Sequence, residues 1–459
     1  MRVPAVRNGL LLLLVLALPF GLPIDAAASS EFRSVAQSSG NDVVAFVGVE
    51  LVTMTDDRIR SGYTVVVQGD RIIAVGPAGQ VTVPDGAVVV NGEGRYLMPG
   101  LAEMHGHVPS AGGDPAAVEE TLFLYVAAGI TTVRGMLGYP GQLELRERAA
   151  AGEIVSPTLY LAGPSFNDNS INSPDQAVEK VRQQVAEGWD LLKIHPGLTL
   201  PEYDAMARTA AEEGIRFGGH VPADVGLEHA LEMGQETFDH LDGYVEALNG
   251  SAGPVNAAEL DAIIEKTIEA GAWVVPTMVL WETLYGTMPL SELQSFEDLQ
   301  YVSQGAVNSW SNSFRQRVED PNYDPIAAQN VIDNRMRILG ALNESGARIL
   351  MGTDAPQQFS VPGFSLHREI RRMVEAGMSP FEVIESGTAN VGEYFANEDD
   401  FGTIETGKRA DLLLVRGNPL RDVSNVENLD GVVVRGRWLT RADLDARLGE
   451  IAAKYARSN

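Results

Sequence analysis

The sequence contains no cysteine among its 459 residues. Disulfide bonds therefore cannot stabilise the fold, and a zinc site built from thiolates is excluded. Any metal site must use histidine, aspartate, glutamate or a modified lysine, and the chain has only seven histidines. The positions of these few histidines therefore carry most of the evidence for or against a metal site.

Positive charge is also scarce in this sequence. The 34 lysine and arginine residues are outnumbered by 62 aspartate and glutamate residues, which gives a formal net charge of −28 at pH 7. Such a charge is repelled by phosphate backbones and by anionic lipid headgroups. We therefore expect neither nucleic acid nor an anionic membrane as a partner.

Long apolar runs are absent after the first residues of the chain. Residues 10–18 form an apolar run, Arg2 and Arg7 precede it, and the small residues 26–28 follow it as a cleavage site. This order is typical of a secretory signal peptide. We predict a signal peptide at residues 1–28, a periplasmic or secreted location and no membrane contact after cleavage. A retained N-terminal anchor is the alternative.

Short runs rich in valine and isoleucine lie near both ends of the mature chain. Glycine, proline and aspartate separate them, a pattern that indicates antiparallel β-strands. We predict one small β-sandwich assembled from both chain ends, residues 41–95 with residues 396–440. Beyond it, Thr440 and Asp443 have the spacing of a capping box and predict a C-terminal helix in residues 441–459. This helix would serve packing or a homo-oligomer contact.

Residues 96–395 alternate short apolar runs with amphipathic stretches. The clearest helix covers residues 174–187, with Ser173 as N-cap and Gly188 at its C-terminal end. Alternating strands and helices predict an α/β fold, specifically a (β/α)8 TIM barrel. An open doubly wound sheet is the alternative, although the sequence lacks the glycine-rich phosphate loop that would favour it. The predicted strands are residues 100–107, 131–136, 159–163, 191–195, 216–221, 237–241, 273–280 and 348–354.

One stretch, residues 282–326, breaks the spacing of the barrel. It carries tryptophan, tyrosine, phenylalanine and methionine without clean periodicity. Because it is long for a barrel loop, it is expected to form a lid or a subsite wall. The alternative is a helical excursion that faces solvent.

Polar side chains close several of the predicted strands. Since a barrel gathers the C-terminal ends of its strands at one face, these side chains are expected to meet there. Buried lysine and aspartate are rare unless they are paired or bound to a metal. The strand-end residues are His105 and His107 on the first strand, Lys193 on the fourth, His220 on the fifth, His240 on the sixth and Asp354 on the eighth.

The motifs around these residues resemble those of the amidohydrolase superfamily, in its imidazolonepropionase-like and Xaa-Pro-dipeptidase-like branch. The resemblance covers nearly the whole mature chain, and the last motif belongs to the composite β-sandwich of that family. The motifs are LMPGLAEMHGH at 97–107, GHV at 219–221, DH at 239–240, MGTDA at 351–355, FSLHRE at 364–369 and GTIETGKRADLLLV at 402–415.

The resemblance implies a site for two divalent metal ions, with zinc as the expected metal. The implied ligands are His105, His107 and Asp354 for the more buried ion, and His220 and His240 for the second. Lys193 matches the lysine that CO2 carboxylates on its side-chain nitrogen (N6-carboxylysine), so that it bridges both ions. Its alternative is an ordinary strand-end lysine that pairs with a carboxylate. Some members of the family hold one metal only.

The implied reaction is hydrolysis of an amide C–N bond by a hydroxide that bridges the two metals. Asp354 is the catalytic residue, which takes a proton from the nucleophile and passes it to the leaving nitrogen. The expected substrate is a small molecule, either an Xaa-Pro-like dipeptide or an N-acyl amino acid. The alternatives are a mononuclear hydrolase of cyclic amides or lactones and a catalytically silent barrel that acts as a binding or scaffold protein.

Four further residues are candidates for substrate binding. Tyr244 resembles a tyrosine that contacts the substrate carboxylate or oxyanion, although it could also pack its ring in a loop. Arg134 could meet a carboxylate or pair with an acidic neighbour. His195 lies on the same strand face as Lys193 and could contact either the substrate or a metal ligand. For His367, a structural hydrogen bond is the alternative to a substrate contact.

Overall fold

The computed structural model describes residues 43–110 and 112–457. The predicted signal peptide, residues 1–28, lies outside the described residues and stays a prediction. No described helix combines the length and the apolar character that are needed to cross a bilayer.

Strands from both ends of the chain join in one eight-stranded sheet. The contact between the two ends is the antiparallel pairing of strand Arg95–Pro99 with strand Leu412–Arg416, in which Pro99 pairs with Leu412 and Arg95 with Arg416. Side chains such as Phe46 and Leu414 fill the apolar core of this domain. Its strands are β1 Val43–Val52, β2 Ile59–Gln68, β3 Arg71–Pro77, β4 Val88–Asn91, β5 Arg95–Pro99, β14 Leu412–Arg416, β15 Leu429–Val434 and β16 Arg437–Thr440.

Eight parallel strands form the second domain. They are β6 Leu101–Gly106, β7 Ile130–Gly135, β8 Thr158–Leu161, β9 Leu191–Ile194, β10 Arg216–Gly219, β11 Thr237–Asp239, β12 Trp273–Val275 and β13 Arg348–Ile349. The regular ladder is not one closed ring, because β6–β8 and β9–β13 are separate sheets. Backbone hydrogen bonds outside the regular ladders connect the two sheets, among them those from Phe166 N to Lys193 O (2.8 Å) and from Met104 N to Met351 O (2.9 Å). The predicted fold class, a (β/α)8 TIM barrel with a small composite β-sandwich domain built from both chain ends, is confirmed, with the ring of barrel strands left open between the two sheets.

The helices alternate with the barrel strands, as predicted. The predicted helix 174–187 is confirmed from end to end: Ser173 caps it and Gly188 ends it with a φ of 88°. The helices are α1 Pro115–Ala127, α2 Gln142–Ala150, α3 Pro174–Glu187, α4 Leu200–Glu213, α5 Leu227–Glu232, α6 Tyr244–Ala247, α7 Ala257–Glu269, α8 Met278–Leu284, α9 Leu290–Leu293, α10 Gln304–Val318, α11 Pro325–Glu344, α12 Phe364–Glu375, α13 Pro380–Ser386, α14 Ala389–Tyr394 and α15 Arg441–Arg457.

The seventh barrel strand is shorter than predicted. It ends at Val275, whereas the sequence predicted a strand over residues 273–280. Pro276 has no N–H to donate to the ladder, and Thr277 has a left-handed φ of 48°. The chain therefore leaves the sheet at this point and begins α8 at Met278.

The stretch 282–326 folds into helices with an apolar cluster of their own. Leu293, Val307 and Phe314 pack there against Phe359, which follows the eighth strand. The stretch is thus anchored beside the barrel mouth. Its role as a lid or subsite wall stays a prediction.

A buried arginine connects the two domains. Arg409 in the GKRADL motif is 3% exposed and donates to Asp399 (2.6 Å), Asp411 (2.7 Å) and Thr132 (2.8 Å). Thr132 belongs to barrel strand β7, whereas Asp411 leads into β14 of the sheet. The guanidinium also lies over the ring of Phe401, at 4.0 Å from its centroid.

We predict that Arg409→Ala destabilises the protein by about 3–5 kcal/mol, because it leaves the carboxylate of Asp411 buried without its cation. The free energy of unfolding in urea measures this loss. Arg416→Ala is the matched control: Arg416 is 56% exposed and pairs with Asp430, so its removal should cost less than about 1 kcal/mol. Equal losses in the two variants would contradict the interdomain role.

Candidate metal centre

The last barrel strand and the first barrel strand bring an aspartate to two histidines. His105 is buried near the end of β6, and His107 follows two residues later with its side chain 15% exposed. Asp354 follows β13 and has a left-handed φ of 67°, which turns its carboxylate towards β6. Asp354 Oδ1 lies 2.5 Å from His107 Nε2 and 3.7 Å from His105 Nε2. These three residues form one side of the site.

Two further histidines complete the opposite side. His240 Nδ1 contacts Thr277 Oγ1 at 2.8 Å, and His220 Nδ1 contacts Asp242 Oδ2 at 2.6 Å. In each ring the Nδ1 atom is occupied, so the Nε2 atom remains for a ligand. His240 Nε2 is buried, has no hydrogen-bond partner among the described residues and lies 3.8 Å from Asp354 Oδ2.

Lys193 lies between these histidines on β9. It is fully buried, and its Nζ atom is 3.1 Å from His105 Nε2. Burial lowers the pKa of Lys193 to about 8, against the opposing charges of Asp239 and Asp354. No described carboxylate forms an ion pair with this amine. The structure therefore does not show the carboxylate pairing that was the alternative for this lysine.

The donor set fits a divalent metal ion. Ligand atoms of His105, His240 and Asp354 all lie within 4.8 Å of one another. Burial holds the pKa of both imidazoles well below the usual value, and neighbouring positive groups, Lys193 for His105 and His105 for His240, add to this effect. Both rings are therefore neutral near pH 7, which is the form that binds metal. The buried, unpartnered Nε2 of His240 is explained by a metal ion.

A buried ion pair between Asp239 and Arg134 lies beside the predicted ligand His105. Asp239 Oδ2 lies 2.7 Å from His105 Nδ1, although the direction departs from that of a good hydrogen bond. Arg134 Nη2 lies 3.2 Å from Asp239, and the other donors of Arg134 go to protein oxygens, among them Met104 O at 2.6 Å. Arg134 is fully buried. It pairs with an acidic neighbour, which corrects its prediction as a substrate contact.

Two other predicted substrate contacts also prove to be structural. The hydroxyl of Tyr244 contacts Thr267 Oγ1 at 2.8 Å, and its fully buried ring packs against Phe238. His367 Nε2 donates to Ala128 O at 3.0 Å. The hydroxyl of Tyr244 and the Nε2 atom of His367 are therefore engaged inside the protein, as their structural alternatives predicted.

His195 lies beside the predicted ligands. Its ring stacks on that of His220 with centroids 5.0 Å apart, and its buried Nδ1 has no hydrogen-bond partner among the described residues. Burial lowers the pKa of His195 well below its usual value. Its role as a substrate contact or a support for a metal ligand stays a prediction.

Sequence reasoning missed two buried glutamates that hold ligand-bearing segments. Glu103 accepts hydrogen bonds from Thr353 N (2.7 Å), Thr353 Oγ1 (2.6 Å) and His105 N (3.2 Å). Glu369 accepts from the N–H groups of Met278 (2.8 Å) and Val279 (2.9 Å), next to Thr277. Burial raises the pKa of each carboxyl group to about 8. Glu103 lies in the motif at 97–107 and Glu369 in the motif at 364–369. Their positions close to His105 and His367 in these motifs were the sequence signal that could have identified them.

Comparison with known proteins shows which protein family the sequence matches. The family model described as "Amidohydrolase family" matches residues 96–439. Among curated proteins, adenine deaminase 3 of Rhizobium meliloti (strain 1021) is 23% identical over 411 residues, which cover 84% of this chain and 56% of that protein. The chain thus spans about half the length of the curated relatives that it matches.

Solved structures share the fold over most of the chain. A Xaa-Pro dipeptidase with bound methionine in its active site superposes with a TM-score of 0.64 at 22% identity, over 87% of this chain and 100% of that one. Bottromycin amidohydrolase gives a TM-score of 0.70 at 25% identity, over 91% of this chain and 93% of that one. Both cover the composite sheet together with the barrel.

We predict that Thr277→Val weakens metal binding by about 10–100-fold, because Thr277 orients the His240 ring through Nδ1. Competition with a chelator of known affinity measures the change. Thr209→Val is the control, since among the described residues the hydroxyl of Thr209 bonds within its own helix, to Ala205 O at 2.7 Å. Unchanged metal affinity in Thr277→Val would show that Thr277 does not orient a ligand.

Proposed function

Because this chain belongs to the amidohydrolase family, we propose that it hydrolyses the amide C–N bond of an Xaa-Pro-like dipeptide or of an N-acyl amino acid. The observation that carries this proposal is the convergence of four histidines, a lysine and an aspartate from five barrel strands on one site. This convergence also disfavours a silent scaffold, since each ligand position that the resemblance implies carries a suitable residue.

The proposed site holds two divalent metal ions, with zinc as the expected metal. The ligands of one ion are His105, His107 and Asp354, and those of the other are His220 and His240. When bound, such ions lower the pKa of water towards neutrality and polarise a carbonyl group.

Lys193 is proposed to become the bridging ligand after reaction with CO2. The neutral amine adds to the carbon of CO2, an N–C bond forms, and one amine proton leaves, so that a carbamate anion results. Burial supports this step because it lowers the pKa of Lys193 to about 8 and so raises the neutral fraction of the amine. An ammonium group at this position would repel the metal ions, whereas a carbamate supplies two anionic oxygens.

Asp354 is proposed to move the proton. Its carboxylate stands between His107 at 2.5 Å and His240 at 3.8 Å, and its side chain keeps 9% exposure towards the mouth of the site. From this position it can accept a proton from the attacking water and donate it to the leaving nitrogen.

A second candidate function is the deamination of a purine. It is favoured by the curated relatives, which are named adenine deaminases at 20–23% identity. That reaction also adds water to a carbon and expels nitrogen, so the same residues could serve it. Hydrolysis of a cyclic amide or lactone at a single metal remains a further alternative. Export to the periplasm or medium and assembly into a homo-oligomer also stay proposals.

A substrate screen tests the proposed function. The zinc-loaded protein is incubated with Xaa-Pro dipeptides, N-acyl amino acids, adenine, lactones and cyclic imides, and products are measured by mass spectrometry. We expect free amino acids from one of the first two classes, with the rate falling by about 10²–10⁴-fold in Asp354→Asn because the proton carrier is lost.

The same screen can contradict the proposal. Release of ammonia from adenine alone would favour the deaminase, and turnover of lactones or cyclic imides alone would favour the mononuclear alternative. Activity that persists unchanged in Asp354→Asn would exclude the assigned site.

A further inference from the structure

A buried arginine beside the metal centre has unused hydrogen-bond donors. Arg335 lies in the middle of α11 and is fully buried, yet its Nε and Nη1 atoms have no hydrogen-bond partner among the described residues. A buried guanidinium whose donors remain unpaired is strongly unfavourable. Such a group marks a place where a ligand, an ion or ordered water can complete the hydrogen bonds.

Trp281 lies against this arginine and has an unused donor of its own. The guanidinium carbon of Arg335 stands 3.9 Å from the centroid of the Trp281 ring. The indole Nε1 atom is buried without a partner among the described residues, although the side chain as a whole is partly exposed. The Trp281 ring is also 6.0 Å from the ring of His240. The stacked pair therefore lies beside the predicted metal ligand His240.

An aspartate connects the pair to a predicted metal ligand. Asp242 Oδ2 contacts His220 Nδ1 at 2.6 Å, and Asp242 Oδ1 lies 3.7 Å from Arg335 Nη2. This second distance gives charge compensation but is too long for a hydrogen bond. The nearby Glu246 is also engaged, since its Oε2 accepts from Gly243 N at 2.8 Å. Neither carboxylate satisfies Arg335 Nε or Nη1, and these two donors have no hydrogen-bond partner among the described residues.

We propose that Arg335 and Trp281 bind the carboxylate of the substrate's amino-acid half, an inference that rests on the proposed function. In a dipeptide or an N-acyl amino acid this carboxylate is attached to the carbon next to the scissile nitrogen. It must therefore bind close to the metal ions without displacing the scissile carbonyl. The planar fork of a guanidinium donates charged hydrogen bonds to a carboxylate, here through the unpartnered Nε or Nη1, and the indole N–H of Trp281 supplies a further donor.

A purely structural role makes a different prediction. If Arg335 served only to balance the charge of Asp242, its replacement would weaken the binding of charged and neutral ligands alike. Recognition of a carboxylate instead requires that the loss be confined to ligands that carry one. The ratio of the two affinities therefore separates the roles even when a variant is less stable.

Calorimetric titration of the zinc-loaded protein measures this ratio. The probes are N-methanesulfonyl-L-proline, which has a carboxylate and no hydrolysable amide, and its primary carboxamide. We expect the wild type to prefer the carboxylate by about 10–100-fold, as for a charged hydrogen-bonded pair. Arg335→Lys, which keeps the charge but loses the fork, should reduce this preference at least several-fold. Trp281→Phe, which keeps the ring but loses the N–H, should reduce it less.

Arg337→Lys is the matched control on the same helix, because Arg337 is exposed and should leave the preference unchanged. A preference that is equal in wild type and Arg335→Lys, or a wild type without preference, would overturn the inference while the proposed hydrolysis could still be observed. Conversely, an Arg335-dependent preference without turnover of any dipeptide or N-acyl amino acid would support this carboxylate site and overturn the proposed function.

Discussion

The contact between the last and first barrel strands is the constraint on which the rest of the site depends. Strand β13 is only two residues long, so regular sheet pairing contributes little at this seam. Instead, Asp354 N donates to His105 O at 2.6 Å, and Glu103 accepts from both the N–H and the hydroxyl of Thr353. The residues that join the strands are therefore the predicted metal ligands or their direct neighbours. Substitutions that break this contact between the last and first strands would therefore disturb both the barrel and the predicted metal site.

The histidines of the predicted metal site are contacted by further polar side chains inside the barrel. Thr277 and Asp242 occupy the Nδ1 atoms of two histidines, while Asp239 approaches a third and is itself paired with Arg134. Such partners fix the orientation of a ligand ring and so determine the affinity for a metal ion. The left-handed backbone at Asp354, His240 and Thr277 is strained for residues with side chains, and the surrounding hydrogen bonds hold it in place.

Local signals in the sequence were sufficient for the fold class and for the principal side chains of the site. The pair His105 and His107, and the strand ends at Lys193 and Asp354, could be found because barrel topology gathers strand ends at one face. Helix α3 was predictable from end to end because its N-cap and its C-terminal glycine are both local. Strand β12 was overextended because the apolar pattern continues through Pro276, although the ladder cannot.

The remaining errors concern contacts between residues that are distant in the chain. Whether Tyr244 or Arg134 meets a substrate depends on Thr267 and Asp239, and no periodicity reveals those pairings. Arg335 was missed for the same reason: within α11 its sequence position is that of an ordinary helix residue. Its significance follows from the tertiary approach of Trp281 and Asp242.

The most direct test of this account is the metal content of the purified protein with and without Lys193. After loading in bicarbonate buffer, the wild type should contain about two divalent ions per chain, and Lys193→Ala should lose at least one because the bridging ligand is absent. A folded wild type with one tightly bound ion that Lys193→Ala leaves in place would contradict the bridged site. A folded wild type that binds no metal would contradict the metal centre itself.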